Sequence, residues 1–118
     1  MEIKIPFHKR FLMFIISGNK VATTRSKRYG KIGDYFCLRN YEDKPSDIKF
    51  KIVSISREKL GDIASNLYWE EGFANPEEFK KFWLTIHRDW TPEKKFYLHI
   101  FQRICFQDWL EKKFDKKL

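Results

Sequence analysis

The stretch 96–104 constrains the fold more than any other part of the chain, because its apolar residues alternate onto both faces of an extended strand. One face carries Phe96, Leu98 and Ile100, and the other carries Tyr97 and Phe101. A strand that is apolar on both faces lies inside a sheet, with a layer of side chains covering each side. A chain of 118 residues can build one such core, so we expect a single domain over residues 1–118.

The spacing of apolar residues predicts the remaining elements in the order helix, strands, two helices, strand, helix. The predicted elements are helices over 7–17, 56–67 and 75–87, strands over 21–25, 35–39, 48–55 and 96–104, and a last helix beginning at Phe106. Ser56 is expected to cap the second helix, and Pro45 to keep the loop over 40–47 unpaired. The strands are too few and too close together for a doubly wound sheet, so a small curled sheet or barrel with helices at its rim fits better.

Charge is distributed unevenly along the chain, whose formal net charge is +8. Residues 1–33 contain eight lysines and arginines but a single acid, Glu2, whereas the remaining 85 residues contain sixteen basic and fifteen acidic side chains. Such an asymmetry favours an anionic partner, most often a nucleic acid, over a merely soluble basic surface.

The segment 18–25, which follows the first predicted helix, is the candidate functional site. It contains one lysine, two hydroxyls and an arginine, which are Lys20, Thr23, Thr24 and Arg25. The cations could bind an anion, and a threonine hydroxyl could bind the ligand, or attack it if a base such as a desolvated Lys20 lies beside it. Since alternate residues of a strand face opposite sides, Lys20 and Thr23 converge only if the chain turns just before them; otherwise the segment is an exposed strand.

An acid could reach this segment from the break between the second and third predicted helices. Glu70 and Glu71 lie in that break. A carboxylate there could act as a general acid or base or could orient Lys20, and the alternative is a solvated acidic pair. Tyr29 and Trp69 could stack bases, or could belong to the edge of the core.

The remaining reactive residue types predict no metal site and no cofactor. The three histidines, His8, His87 and His99, have no metal-ligand spacing, and His99 is expected to be a satisfied core residue. Cys37 and Cys105 are read as reduced core thiols, which favours a cytoplasmic protein. No apolar run approaches the length of a membrane helix, so no membrane partner is expected.

The segment 18–25 resembles the G-x-K-x-x-x-x-R pattern of the ASCH domain, in the PUA-like superfamily, with Lys20 and Arg25 as its cations. The flanking order agrees, because a helix precedes the motif, Gly33-Asp34 follows it after about eight residues, and Glu71 precedes a further helix and a closing strand. The resemblance covers residues 7–104 and leaves 105–118 as a C-terminal helical extension. It implies an α+β fold, a small PUA-like β-barrel of about five to six strands with helices around a cleft.

The resemblance also implies a choice of functions. The first is binding, because the family looks like a group of proteins that bind RNA or nucleotides. The second is catalysis, because small bacterial members hydrolyse N4-acetylcytidine with a lysine, a threonine and a glutamate. By position these correspond to Lys20, Thr23 and Glu71, while the pair at 21–22 departs from the usual pattern and Glu70 remains an alternative to Glu71. Other members are linked to ribonuclease activity.

The sequence therefore predicts that a monomer binds RNA, a nucleotide or a nucleoside in a basic cleft. The alternative is an amidohydrolase that deacylates N4-acetylcytidine-type nucleosides, with ribonuclease activity and a purely structural interaction domain ranking below it. The residues predicted to bind the ligand are Lys20, Thr24, Arg25, Lys27, Arg28, Tyr29 and Trp69.

Overall fold

The computed structural model describes residues 1–42 and 44–104, so the predicted helix from Phe106 lies outside the described residues. A short 3-10 turn, Lys9–Phe11, leads into helix α1, Leu12–Ile16. The other elements are strands β1 (Ala22–Arg25), β2 (Tyr35–Arg39) and β3 (Pro45–Lys59), helices α2 (Leu60–Asn66) and α3 (Pro76–Ile86), and strand β4 (Lys95–Arg103). The fold class is α+β, as predicted.

The four strands of the described residues form one antiparallel sheet in the order β1-β4-β3-β2. Strand β4 lies between β1 and β3, which confirms the prediction that the strand with two apolar faces is internal. The sheet curls into a half-barrel, consistent with a small PUA-like barrel, and a register shift between Ile52 and Ser54 interrupts the regular pairing of β3 with β4. The described residues contribute four strands to this sheet, where about five to six were expected of the whole barrel.

The core packs large side chains of the sheet against those of the helices. Its fully buried members include Phe36 and Ile52 from the sheet and Leu60 and Ile63 from α2. The ring of Phe36 lies 5.4 Å from that of Phe101, edge to face, which is a favourable arrangement of aromatic pairs. Helix α3 packs its apolar stripe onto this core, and its amino end is capped as the sequence predicts.

Two local predictions are wrong for the same reason. Ser56 does not cap a helix but lies within β3 opposite Leu98, and α2 begins four residues later. Pro45 does not keep its loop unpaired but opens β3 opposite Arg39. Proline is tolerated at the first residue of a strand because no ladder hydrogen bond is required of its nitrogen there. Pairing with β2 and β4 extends β3 to fifteen residues and overrides both local signals.

The first predicted helix is shorter than the 7–17 expected, because the chain at Phe7 and His8 is not helical. No helix of the described residues is both long enough and apolar enough to cross a membrane.

Candidate functional site

A left-handed turn after α1 directs Lys20 into the protein. Gly18 has a φ of 84°, a conformation that favours glycine, and the backbone N–H of Lys20 then donates to the carbonyl of Phe14 at 2.9 Å. The next two residues donate their N–H groups to the Glu70 carbonyl, at 2.8 and 3.0 Å. The chain thus turns before Lys20, as convergence requires, and is tied to the segment that carries Glu71.

Lys20 and Glu71 form a buried ion pair in which every N–H bond of the ammonium is used. The Nζ atom of Lys20 lies 2.9 Å from Glu71 Oε2, and it donates to the carbonyls of Glu71 and Ala22 at 3.0 and 2.8 Å. The two residues are 3% and 4% exposed. Burial lowers the pKa of Lys20, while the charge of Glu71 and its hydrogen bond raise it.

The two threonines have different partners. The hydroxyl of Thr24 donates to Oε1 of Glu71, the oxygen that Lys20 does not contact. The hydroxyl of Thr23 instead accepts from Nε of Arg25 at 3.0 Å. Alternation along β1 explains the division, since Thr23 and Arg25 share one side of the strand and Thr24 lies on the other.

Arg25 is held firmly at the edge of the site. Its guanidinium lies 5.2 Å from the ring centre of Phe7 and 5.5 Å from that of Tyr29, and it donates to the carbonyl of Pro6 at 2.5 Å. Burial lowers the pKa of Arg25, whereas Tyr29 and Glu71 raise it. An arginine nevertheless stays charged, so a fixed cation borders the site.

These groups line one end of a cavity of about 350 Å³, which we call the cleft. The polar end of the cleft is formed by Lys20, Thr23, Thr24, Arg25 and Glu71. The rest of the lining is largely aromatic and includes Phe7, Phe11, Phe73, Phe79, Phe82 and Trp83, which we call the aromatic wall. Trp83 stacks on His87, with ring centres 3.9 Å apart. The cleft therefore combines charged groups and hydroxyls with flat apolar surfaces, and the rings of Phe11 and Phe7 lie next to Lys20 and Arg25.

The structure brings together five of the nine residues singled out as site residues and places the others elsewhere. Lys27, Arg28, Tyr29 and Trp69 do not line the cleft, although the Tyr29 ring supports Arg25. Trp69 is 57% exposed. Of the two candidate acids, Glu71 contacts Lys20 with its carboxylate, and Glu70 does not.

Glu70 contributes its carbonyl to the site and keeps its carboxylate apart. Its Oε2 atom is buried and has no hydrogen-bond partner among the described residues. Burial and the neighbouring Glu71 raise the pKa of Glu70.

Sequence reasoning did not assign the aromatic wall, His8 or His87 to the site. The stripe of Phe79, Phe82 and Trp83 on α3 was visible in the sequence as a core face, and nothing in the pattern showed that part of it faces a cavity. His99 is fully buried, as expected of a core residue. Its Nε2 accepts from the Tyr29 N–H at 2.9 Å, and its Nδ1 faces the Thr23 carbonyl at 3.3 Å.

No cluster of three or more histidine, cysteine, aspartate or glutamate residues within 1–42 and 44–104 is arranged to hold a metal ion. The polar groups that line the cleft are a carboxylate, an ammonium, a guanidinium, the hydroxyls of two threonines and a serine, and the imidazoles of His8 and His87.

Comparisons with known proteins agree on the fold. No family model matches the sequence, and no curated protein matches it. Among solved structures, the chain is similar to an ASCH domain from Lactobacillus crispatus JV V101, with a TM-score of 0.65 and 14% identity over 86% of this chain and 77% of that one. It is also similar to protein EF3133 from Enterococcus faecalis V583, of the DUF984 family model, with a TM-score of 0.63 and 17% identity over 81% of this chain and 68% of that one. The chain therefore has an ASCH-like domain fold, as the motif in segment 18–25 predicts.

Proposed function

We propose that the protein binds a nucleoside whose base carries an acyl amide, and that it hydrolyses that amide in the cleft. The observation that carries the proposal is the buried Lys20–Glu71 pair, with a threonine hydroxyl bonded to Glu71, at the end of an aromatic-walled cavity. A hydroxyl, an adjacent carboxylate and fixed cations are the groups that acyl transfer requires.

The size and lining of the cleft support a small ligand over a long polymer. About 350 Å³ falls within the range of small-molecule sites, roughly 300–1,000 Å³. The flat rings of the aromatic wall can cover the face of a base, which every nucleobase offers. The polar lining of the cleft contains two cations, Lys20 and Arg25, and one acid, Glu71, which is paired with Lys20. The cleft is therefore less basic than the composition of residues 1–33 suggested.

The contacts support distinct roles for the two members of the ion pair. The ammonium of Lys20 donates its three N–H bonds to Glu71 and Ala22. It therefore fixes the Glu71 carboxylate and does not act as a base in this arrangement. Glu71 keeps Oε1 for a hydroxyl and is the group able to accept and return a proton. Arg25 supplies positive charge at the edge of the cleft, where an amide oxygen gains negative charge in the transition state.

Incubation of the protein with N4-acetylcytidine, with separation of cytidine and acetate by chromatography, tests the proposal. We expect the wild-type protein to release cytidine, and Glu71→Gln to be slower by about 10²–10⁴-fold, the usual contribution of a general base. Lys20→Met should also be slower, because it removes the ammonium that fixes the Glu71 carboxylate. Lys95→Met, which removes an exposed cation outside the cleft, is the matched control and should keep the wild-type rate. A wild-type rate equal to that of Lys20→Met would remove the proposal.

A second function, binding of RNA, is favoured by a different observation. Lys27, Arg28 and Lys31 are exposed on the turn that follows β1, beside the cleft but not in it. Exposed cations in one turn can contact phosphates without sequence preference. Fluorescence titration with a single-stranded RNA at two salt concentrations tests this function, and an absence of binding at low salt would exclude it.

A further inference from the structure

We propose that the hydroxyl of Thr24, and not that of Thr23, is the nucleophile of the cleft, with Glu71 as its base. The inference rests on the amide hydrolysis proposed above and names the residue that carries it out. The resemblance to ASCH domains points by position to Thr23, so the geometry and the position disagree, and the two threonines can be distinguished by experiment.

A threonine hydroxyl becomes a nucleophile only when a base within hydrogen-bond reach removes its proton. Thr24 meets this requirement, because its hydroxyl donates directly to Oε1 of Glu71. Glu71 is itself held by Lys20 at Oε2, so its free oxygen is aimed at one partner. This is the pattern of a nucleophile, a base and a group that orients the base.

Thr23 has no such base among residues 1–42 and 44–104. Its hydroxyl accepts a hydrogen bond from Nε of Arg25 at 3.0 Å, and a guanidinium donates protons without accepting them. Lys20 cannot serve Thr23 in this arrangement, because its three N–H bonds are directed at Glu71 and Ala22. Thr23 is therefore a positioning residue that, with the Pro6 carbonyl, fixes Arg25 at the edge of the cleft.

The reaction balances with these groups alone. Thr24 Oγ1 attacks the acyl carbon as its proton passes to Glu71, and the C–N bond then breaks as the amine leaves with that proton. A water molecule attacks the resulting threonine ester and gives its proton to Glu71. The ester C–O bond breaks, Thr24 recovers the proton, and the carboxylic acid departs.

An activated acyl ester, p-nitrophenyl acetate, tests the assignment without depending on the natural substrate. We expect a burst of nitrophenolate and an acetyl group on Thr24, located by fragmentation of the peptide that contains both threonines. Thr24→Val should lose the burst and the adduct, while Thr24→Ser should restore both. Thr23→Val should keep an adduct on Thr24, because that hydroxyl and its base remain.

Other outcomes overturn the assignment. An acetyl group on Thr23, an adduct that persists in Thr24→Val, or the absence of any adduct in the wild-type protein each excludes Thr24 as the nucleophile. Failure of the proposed function gives a different result. A protein that the ester acetylates on Thr24 but that does not hydrolyse N4-acetylcytidine would support Thr24 as the nucleophile and exclude N4-acetylcytidine as the substrate. If Thr24→Val still hydrolyses N4-acetylcytidine and Thr23→Val does not, the proposed function stands and Thr24 is excluded as the nucleophile.

Discussion

Two neighbouring basic segments of this chain, 20–25 and 27–31, are alike in the sequence and opposite in the structure. The first buries Lys20 against Glu71 and packs Arg25 against two rings. The second leaves Lys27, Arg28 and Lys31 exposed. The difference shows that the basic part of this chain contains two kinds of cation, those that line the cleft and those that are exposed to solvent. The following predictions are arranged to break or sharpen that contrast.

The largest expected effect is the removal of one member of the buried ion pair. Lys20→Met leaves the Glu71 carboxylate buried without its partner, which typically costs about 3–5 kcal/mol of unfolding free energy. Urea denaturation followed by circular dichroism measures it. The double variant Lys20→Met/Glu71→Leu should recover much of the loss, because it leaves no unpaired charge. A loss below about 0.5 kcal/mol for the single variant, the size usual for surface changes, would contradict the contrast.

A methyl group placed on Gly72 should disturb the same site through the backbone. Gly72 has a φ of 92°, and a Cβ there would lie 3.1 Å from Cβ of Lys20. Backbone strain of this kind costs about 1–3 kcal/mol, and we expect Gly72→Ala to fall in that range.

Gly18→Ala is the matched control for this substitution. Gly18 has a similar φ of 84°, but a Cβ there would meet nothing within 4 Å. Denaturation midpoints of the two variants measure the difference. Gly72→Ala should be the less stable, and equal losses would show that crowding against Lys20 contributes nothing.

Burial of His99 predicts a pH dependence of stability that the exposed segment lacks. Burial lowers the pKa of His99, so the unfolded state binds a proton more readily than the folded state. Stability should therefore fall as the pH decreases below about 6.5, the ordinary pKa of histidine, by at most about 1.4 kcal/mol per pH unit from this residue.

Unfolding curves of wild type and His99→Gln between pH 7 and pH 5 isolate this contribution. The wild-type protein should lose more stability than the variant over that interval, because glutamine does not titrate. Identical slopes for the two proteins would contradict the prediction. The amide signal of Tyr29, whose N–H donates to His99, reports the same event by NMR.

The smallest expected effects on stability belong to the exposed cations. Lys27→Ala and Arg28→Ala should each change the unfolding free energy by less than about 0.5 kcal/mol. If the turn contacts RNA, each should also reduce the slope of log affinity against log salt by about 1. A large loss of stability with an unchanged salt slope would reverse the roles assigned to the two segments.

Much of the fold could be predicted because its signals are local. Asn75 caps α3 by accepting from the Glu78 N–H at 2.8 Å, with Pro76 in the first turn, as the sequence indicated. The two apolar faces of 96–104 predicted an internal strand, and β4 is internal. The predictions at Pro45 and Ser56 failed because both residues lie in β3, whose length is set by pairing with strands distant in the sequence.

The sequence by itself determined the alternation of apolar and polar residues, the cap of α3, and the presence of a lysine, two threonines and an arginine after the first helix. Only the tertiary structure decided that Glu71 and not Glu70 meets Lys20, that Thr24 and not Thr23 meets Glu71, and that part of the α3 stripe faces a cleft. The physical reason is that local preferences act between residues a few positions apart. The ion pair joins residues 51 positions apart, so packing of the whole chain selects which side chains meet.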